Sequence, residues 1–312
     1  VLHKIIENNI LRGAAMGQEK TVGVALSGGG VRGIVHIGVL QALEEMGVSI
    51  NAISGTSAGA IVAALYATGF NPQQMEKIAL NLRLKEFIDA KLTMGSMFKQ
   101  GIKNFLGEKD GYFWSSLPHG LIKGDKIELL FRKLWQRRRL KDVRIPLAIT
   151  AVDLLSADTV FFVSPQENRA ILNARYATQA EIADAVRASI AIPGVFYPKR
   201  YKNMQLADGA VKNNVPTDIL HSMGADFIIA VDLGFSGREC SMLKTAGDIM
   251  LRSIDIMNRE ITLLKSEKYA NIIIRPQTEN ISFASDKSVR LAIECGRQAV
   301  QDNFATLREL LR

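Results

Sequence analysis

Two periods of apolar residues run along the chain and divide it. Thr21 to Ser27 (Thr-Val-Gly-Val-Ala-Leu-Ser) is a strand-length apolar run, and Val48 to Ser54 is a second. Runs that are apolar on both faces suit strands buried in a parallel sheet. Ile34 to Met46 carries the helical period and closes at Gly47, and Ala60 to Ala67 reads as a buried helix closed by Gly69. The first 70 residues therefore read strand, glycine loop, helix, strand, tight turn, helix. That alternation predicts a parallel sheet covered by helices, an α/β class.

Further strands are expected at Pro146 to Leu154, Thr159 to Val163, Met204 to Ala207, Phe227 to Leu233 and Ile272 to Ile274. Helices are expected from Pro72, over Lys126 to Trp135, Ala180 to Ser189 and Pro216 to Met223, and over the long spans Ser241 to Lys265 and Asp286 to Leu311. Residues 71–145 change character. Met94, Met97, Phe98, Phe105, Leu106, Phe113 and Trp114 stand among lysines and glycines. This reads as a helical, cap-like insertion whose apolar residues serve as core or as a rim at a site mouth.

At 312 residues, 47% hydrophobic and 22% charged, the chain can bury a sizeable core. With no repeat or linker, one domain over 21–312 is expected, with 236–312 as its C-terminal helical part. Residues 1–20 lack a sustained apolar stretch and are expected to be an N-terminal extension or a foreign segment, not a signal peptide. No apolar run reaches about 18 residues, so no transmembrane helix is expected. Cys240 and Cys295 lie far apart, and the four histidines form no Cys/His cluster. This pattern suits a reducing compartment and argues against zinc. The formal charge is +8, and basic residues gather at Arg132, Lys133, Arg137, Arg138, Arg139, Lys141 and Arg144. The cluster is either a solvated helix end or a patch for anionic lipid. Nucleic acid is not expected, because no aromatic interleaving or binding-module motif accompanies the charge.

Three short motifs carry candidate chemistry. Gly55-Thr56-Ser57-Ala58-Gly59 lies between a strand and a helix, the context of a nucleophile elbow. An ordinary Gly/Ser turn is the alternative. Gly28-x-Gly30-x-x-Gly33 follows a strand and opens a helix. It fits a dinucleotide fingerprint, except that no acid ends the second strand. It also fits an oxyanion hole made of consecutive backbone N–H groups, with Arg32 lending charge or bracing the loop. Asp208 ends a strand before Gly209-Ala210, where it is either an Asx-type turn residue or a base for Ser57. His221 completes a Ser-Asp-His order but sits mid-helix. His36, just after the glycine loop, suits packing or hydrogen bonding.

Taken together and in this order, Gly28-Gly29-Gly30-Val31-Arg32-Gly33, Gly55-Thr56-Ser57-Ala58-Gly59 and Asp208-Gly209-Ala210 resemble the patatin-like phospholipase family. The stretch from Ala188 to Phe196 and Asn213-Asn214-x-Pro216 are similar to its bacterial members. The resemblance implies a three-layer α/β/α patatin-like fold with a mostly parallel central sheet. It implies a serine lipid acyl hydrolase of the phospholipase A or esterase type, acting on carboxylic esters through a Ser57–Asp208 dyad and an acyl-enzyme. An oxyanion hole over Gly28, Gly29, Gly30, Arg32 and Gly33 follows, with Gly55 and Gly59 shaping the elbow. No cofactor or metal is implied. The expected partner is a phospholipid or other acyl-ester lipid, met by a cytoplasmic protein at a membrane surface. The same residues would also serve an acyltransferase, or a non-catalytic acyl-lipid-binding protein on this fold.

Overall fold

A computed structural model of the chain describes residues 20–81, 120–165, 170–234, 246–278 and 286–312. In chain order the strands are β1 (Val22–Leu26), β2 (Ile50–Thr56), β3 (Gly120–Ile122), β4 (Leu147–Asp153), β5 (Thr159–Val163), β6 (Ala174–Ala177), β7 (Gly194–Phe196), β8 (Lys199–Tyr201), β9 (Met204–Asp208), β10 (Phe227–Val231) and β11 (Ile272–Ile274). The helices are α1 (Val35–Glu45), α2 (Ala58–Ala67), α3 (Pro72–Asn81), α4 (Asp125–Trp135), α5 (Ile182–Ser189), α6 (Thr217–Ser222), α7 (Ala246–Tyr269), α8 (Asp286–Asp302) and α9 (Phe304–Leu310).

The main sheet runs β11-β10-β1-β2-β4-β5-β6. From β11 to β4 every neighbour is parallel, and β5 then pairs antiparallel with β4. The strand β1 shows why the layers form. Val22, Val24 and Leu26 point into the large core shared with α1, α2, α5 and α8, while Gly23 and Ala25 face α6. Large residues on one face and small ones on the other let α6 come close. A Cβ on Gly23 would lie 3.0 Å from Ala225 Cβ. The result is the helix-covered, mostly parallel sheet that the residue pattern predicts, in the α/β/α layering that the resemblance implies.

The position of β9 matters most for the site. β2 occupies one edge of β4 from Leu147 to Thr150 and stops at Thr56. On that same edge β9 takes over, with Ala151 opposite Asp208 and Asp153 opposite Leu206, antiparallel. The end of β9 therefore abuts the end of β2. Nothing in the local sequence reports this pairing. The short strands β3, β6, β7 and β8, each of three or four residues, also lie below the length at which alternation is visible.

The expected C-terminal helix is two helices. At Asn303 the side-chain amide donates to Ala299 O (2.8 Å), competing with the backbone ladder, and the chain breaks into α8 and α9. α8 packs on α1 backbone to backbone. A Cβ on Gly38 would lie 1.8 Å from Ile293 O, and one on Gly296 2.1 Å from Val35 O. Gly38→Ala is expected to cost about 1–3 kcal/mol by overpacking, read as a fall in Tm of several degrees. An unchanged Tm would mean that the two helices separate freely.

Of the cap-like stretch, α3 and residues 120–145 are described; Met94, Met97, Phe98, Phe105, Leu106, Phe113 and Trp114 lie outside the described residues, as do 1–19. The helix α4 carries Phe131 and Trp135 into the main core, their rings 5.5 Å apart. Of the basic cluster, Lys133, Arg137, Arg138, Arg139, Lys141 and Arg144 are exposed and Arg132 is half-buried. Arg132 pairs with Glu128 (2.8 Å), Asp184 (2.8 Å) and Glu181, stitching α4 to α5. Arg138 donates to Thr68 O (3.2 Å) and Arg144 N to Ala67 O (2.7 Å). These contacts sit at the C-terminal end of α2, about 15 Å from its start. Arg138 and Arg144 thus lie at the far end of α2 from Ser57.

Candidate active site

Ser57 joins β2 to α2 with φ 54° and ψ −121°. A non-glycine residue rarely adopts this backbone, and it persists only where the surroundings enforce it. Two close approaches do so. A Cβ on Gly55 would lie 2.4 Å from Gly59 O, and a Cβ on Gly59 2.3 Å from Leu26 O. The turn is therefore pressed against the end of β1. The Ser57 N–H donates to Ser189 Oγ (2.8 Å), and Ser189 Oγ in turn donates to Thr150 O (2.7 Å).

Asp208, at the end of β9, is 3% exposed. Its Oδ1 accepts the Ala210 N–H at 2.8 Å, so the Asx-type turn is present. That bond uses one carboxyl oxygen, and the turn and a site role are compatible. Burial raises the Asp208 pKa to about 6. The Ser57 hydroxyl and the Ala210 N–H, hydrogen-bonded to the carboxylate, pull the other way. The Asp208 N–H donates to Ala191 O (2.9 Å), so the segment after α5 braces this residue, as Ser189 braces Ser57.

The glycine loop lies across the same space. The Gly28 N–H is already engaged, directed at Asn214 Oδ1 (3.1 Å) and Asn214 O (3.3 Å). Gly28 is thus the anchor of the loop, and of the candidate oxyanion donors the N–H groups of Gly29 and Gly30 remain. Gly30 has φ +57°, a conformation that a glycine adopts without strain. Gly33 supplies no group to the space. Its role is close packing, since a Cβ there would lie 2.4 Å from Ala58 Cβ. Arg32 braces the loop, its N–H donating to Gly29 O at 3.2 Å and its Nε at 3.4 Å.

A cavity of about 760 Å³ brings these parts together. Gly28, Gly29, Gly30, Arg32, Ser57, Asp208 and Asn214 line one side. The other side is α7, with Ile254, Asp255, Asn258, Arg259, Thr262 and Leu263, and the segment after β11. Neither His221 nor His36 lines it. His221 is exposed, its ring 5.3 Å from that of Tyr269. His36 is fully buried with Nε2 bonded to Ser27 O (2.8 Å), and burial lowers its pKa to about 4, which keeps it neutral. No group of three His, Cys, Asp or Glu side chains suited to a metal occurs among the described residues. No helix among them is long and apolar enough to cross a membrane.

Sequence reasoning assigned no part to Ser189, Asn214 or α7. The first two fall in the stretches from Ala188 to Phe196 and Asn213-Asn214-x-Pro216, singled out as motifs without a task. Asn213 also accepts the Thr56 hydroxyl on its carbonyl (2.8 Å), while its amide donates to Asp218 (2.8 Å), which pairs with Lys265 of α7 (2.9 Å). One dipeptide therefore ties the glycine loop, the elbow and the cavity wall together.

A sequence profile described as Patatin-like phospholipase matches residues 24–221, the span holding all three motifs. An uncharacterised NTE family protein of Mycobacterium tuberculosis is 34% identical over 216 residues, covering 69% of this chain and 49% of its own length. Patatin-like phospholipase domain-containing protein 6 of Mus musculus is 27% identical over 236 residues, covering 73% of this chain and 14% of its own. The chain thus spans half or less of the length of these relatives. Among solved structures, VipD from Legionella pneumophila has a TM-score of 0.50 at 17% identity, covering 93% of this chain and 67% of VipD. Human GIVD cytosolic phospholipase A2 has a TM-score of 0.50 at 10% identity, covering 94% and 60%. At such identities the structures attest the fold alone. The profile match across most of the chain decides the family: the chain belongs to the patatin-like phospholipases.

Proposed function

We propose that this chain is a serine lipid acyl hydrolase using a Ser57–Asp208 dyad. Ser57 Oγ attacks the ester carbonyl carbon while Asp208 takes its proton. The N–H groups of Gly29 and Gly30 hold the oxyanion, aided by the α1 and α2 N-termini. Collapse returns the proton from Asp208 to the leaving alcohol and leaves an acyl-enzyme on Ser57. Water, deprotonated by Asp208, then releases the fatty acid and restores the serine. The observation that carries this reading is Asp208 itself. It is a buried carboxyl with basicity raised to about 6, beside the hydroxyl of a strained serine in the cavity that holds the glycine loop. The family match supports an acyl-ester lipid as the substrate class. We assign residues 21–312 to one domain, because Phe131 and Trp135 of α4 and Val300 and Leu307 near the C-terminus share one core with the strands.

A fluorophosphonate probe is expected to label the protein once, on Ser57, as read by peptide mass. Ser57→Ala should fold with an unchanged circular dichroism spectrum, resist labelling and lose hydrolysis of lipid esters. Labelling at another serine, or retained activity in the alanine variant, would refute the assignment.

A further inference from the structure

We propose that Asn258 and Thr262, on α7, form a substrate subsite that hydrogen-bonds an uncharged oxygen of a glycerolipid next to the scissile ester. The proposal rests on Ser57 acting as described above. Asn258 is 8% exposed and Thr262 5%, and both line the cavity that holds Ser57 and Asp208. Four residues apart, they share one stripe of the helix. Among the described residues neither side chain has a hydrogen-bond partner, and the Thr262 hydroxyl is a buried orphan. Its oxygen is covered, so contact with a ligand requires the side chain to turn about χ1.

A buried polar group without a partner costs about 1–3 kcal/mol. The Thr262 hydroxyl is such a group, and the unpartnered Asn258 amide stands one turn away on the same stripe of the cavity wall, so together they mark hydrogen-bonding capacity for something that enters the cavity. Charges on that wall have opposite charges beside them: Arg275 meets Asp232 at 3.4 Å, and Asp255, whose pKa burial raises, has Arg32 and Arg252 near it. What remains is neutral, and both donates and accepts. That chemistry suits a glycerol hydroxyl or a second ester carbonyl better than a phosphate, which wants cationic donors. The profile match ends at residue 221, so α7 belongs to the part of the chain outside the shared motifs.

The test compares Asn258→Leu and Thr262→Val with the parent on three soluble substrates: a dihexanoyl glycerolipid, a monohexanoyl glycerolipid and ethyl hexanoate. The ratio of kcat/KM for glycerolipid over ethyl ester is expected to fall about 10-fold or more. A fall with the dihexanoyl substrate identifies the second carbonyl, and a fall with the monohexanoyl one the hydroxyl. A ratio that stays constant for both, whether activity drops or not, overturns the subsite. A second arm measures calorimetric Kd for the dihexanoyl and monohexanoyl lipids in the Ser57→Ala background, with and without Asn258→Leu. If the parent hydrolyses no ester but this binding weakens about 10-fold, the catalytic reading falls and the subsite stands. If the parent turns over and neither ratio nor Kd moves, the subsite falls and the catalytic reading stands.

Discussion

Asp208→Asn is expected to lower lipid ester hydrolysis by about 10²- to 10⁴-fold, the range contributed by a positioned general base, while His221→Ala keeps close to the parent rate. The asparagine is nearly isosteric and its Oδ1 can still accept the Ala210 N–H, so the turn survives. What is lost is the carboxylate that, in the proposed mechanism, takes the Ser57 proton. His221 is exposed on α6 and lines no part of the cavity, so a Ser-Asp-His triad has no geometric basis. A collapse of His221→Ala with a near-parental Asp208→Asn would reverse the roles. The pH profile gives an independent reading. The base must be ionised, so kcat/KM should rise with pH through the Asp208 pKa of about 6 and flatten above it. Stability should run the other way. The folded pKa lies above the unfolded value of 3.8, so the native state binds more protons between them and loses stability as pH rises across that window. The burden of the buried charge at pH 8 is on the order of 3 kcal/mol. Asp208→Asn should therefore have a higher Tm than the parent at pH 8, with the gap closing near pH 4. A gap that stays constant with pH would show that Asp208 is not held at raised basicity.

Gly59→Ala is expected to disable the site with the dyad residues still in place. The added Cβ would lie 2.3 Å from Leu26 O and 2.6 Å from Ser27 O, both backbone atoms at the end of the central strand. A strand buried on both faces cannot yield, so the start of α2 must shift and carry Ser57 with it. A displacement of about 1 Å from the productive geometry can cost 10²-fold, and kcat should fall by at least that. Gly47→Ala is the comparison. Gly47 has φ +78° with open space around it, so its alanine loses about 1–2 kcal/mol to backbone strain while the elbow is untouched. Its Tm should fall and its kcat hold. If both variants lose the same fraction of activity, the elbow argument fails and general destabilisation explains the loss.

The chain's own order of residues determined a good deal. Apolar runs such as Val22 to Leu26 specify buried strands because a strand covered on both faces can hold no charge. Gly55 and Gly59 around Ser57 specify the elbow because only a residue without Cβ fits there. These are local demands, met by neighbours in sequence. The tertiary structure decided the rest. Asp208 reaches Ser57 because β9 returns antiparallel along the edge of β4 that β2 vacates, and strand pairing leaves no local trace. The Gly28 N–H is held by Asn214, 186 residues away, a contact no local pattern reports. Asn258 and Thr262 look like ordinary polar positions of a long helix until packing lays them along the cavity. Local sequence encodes backbone preference and burial. Which distant donor meets which acceptor is settled only when the layers close.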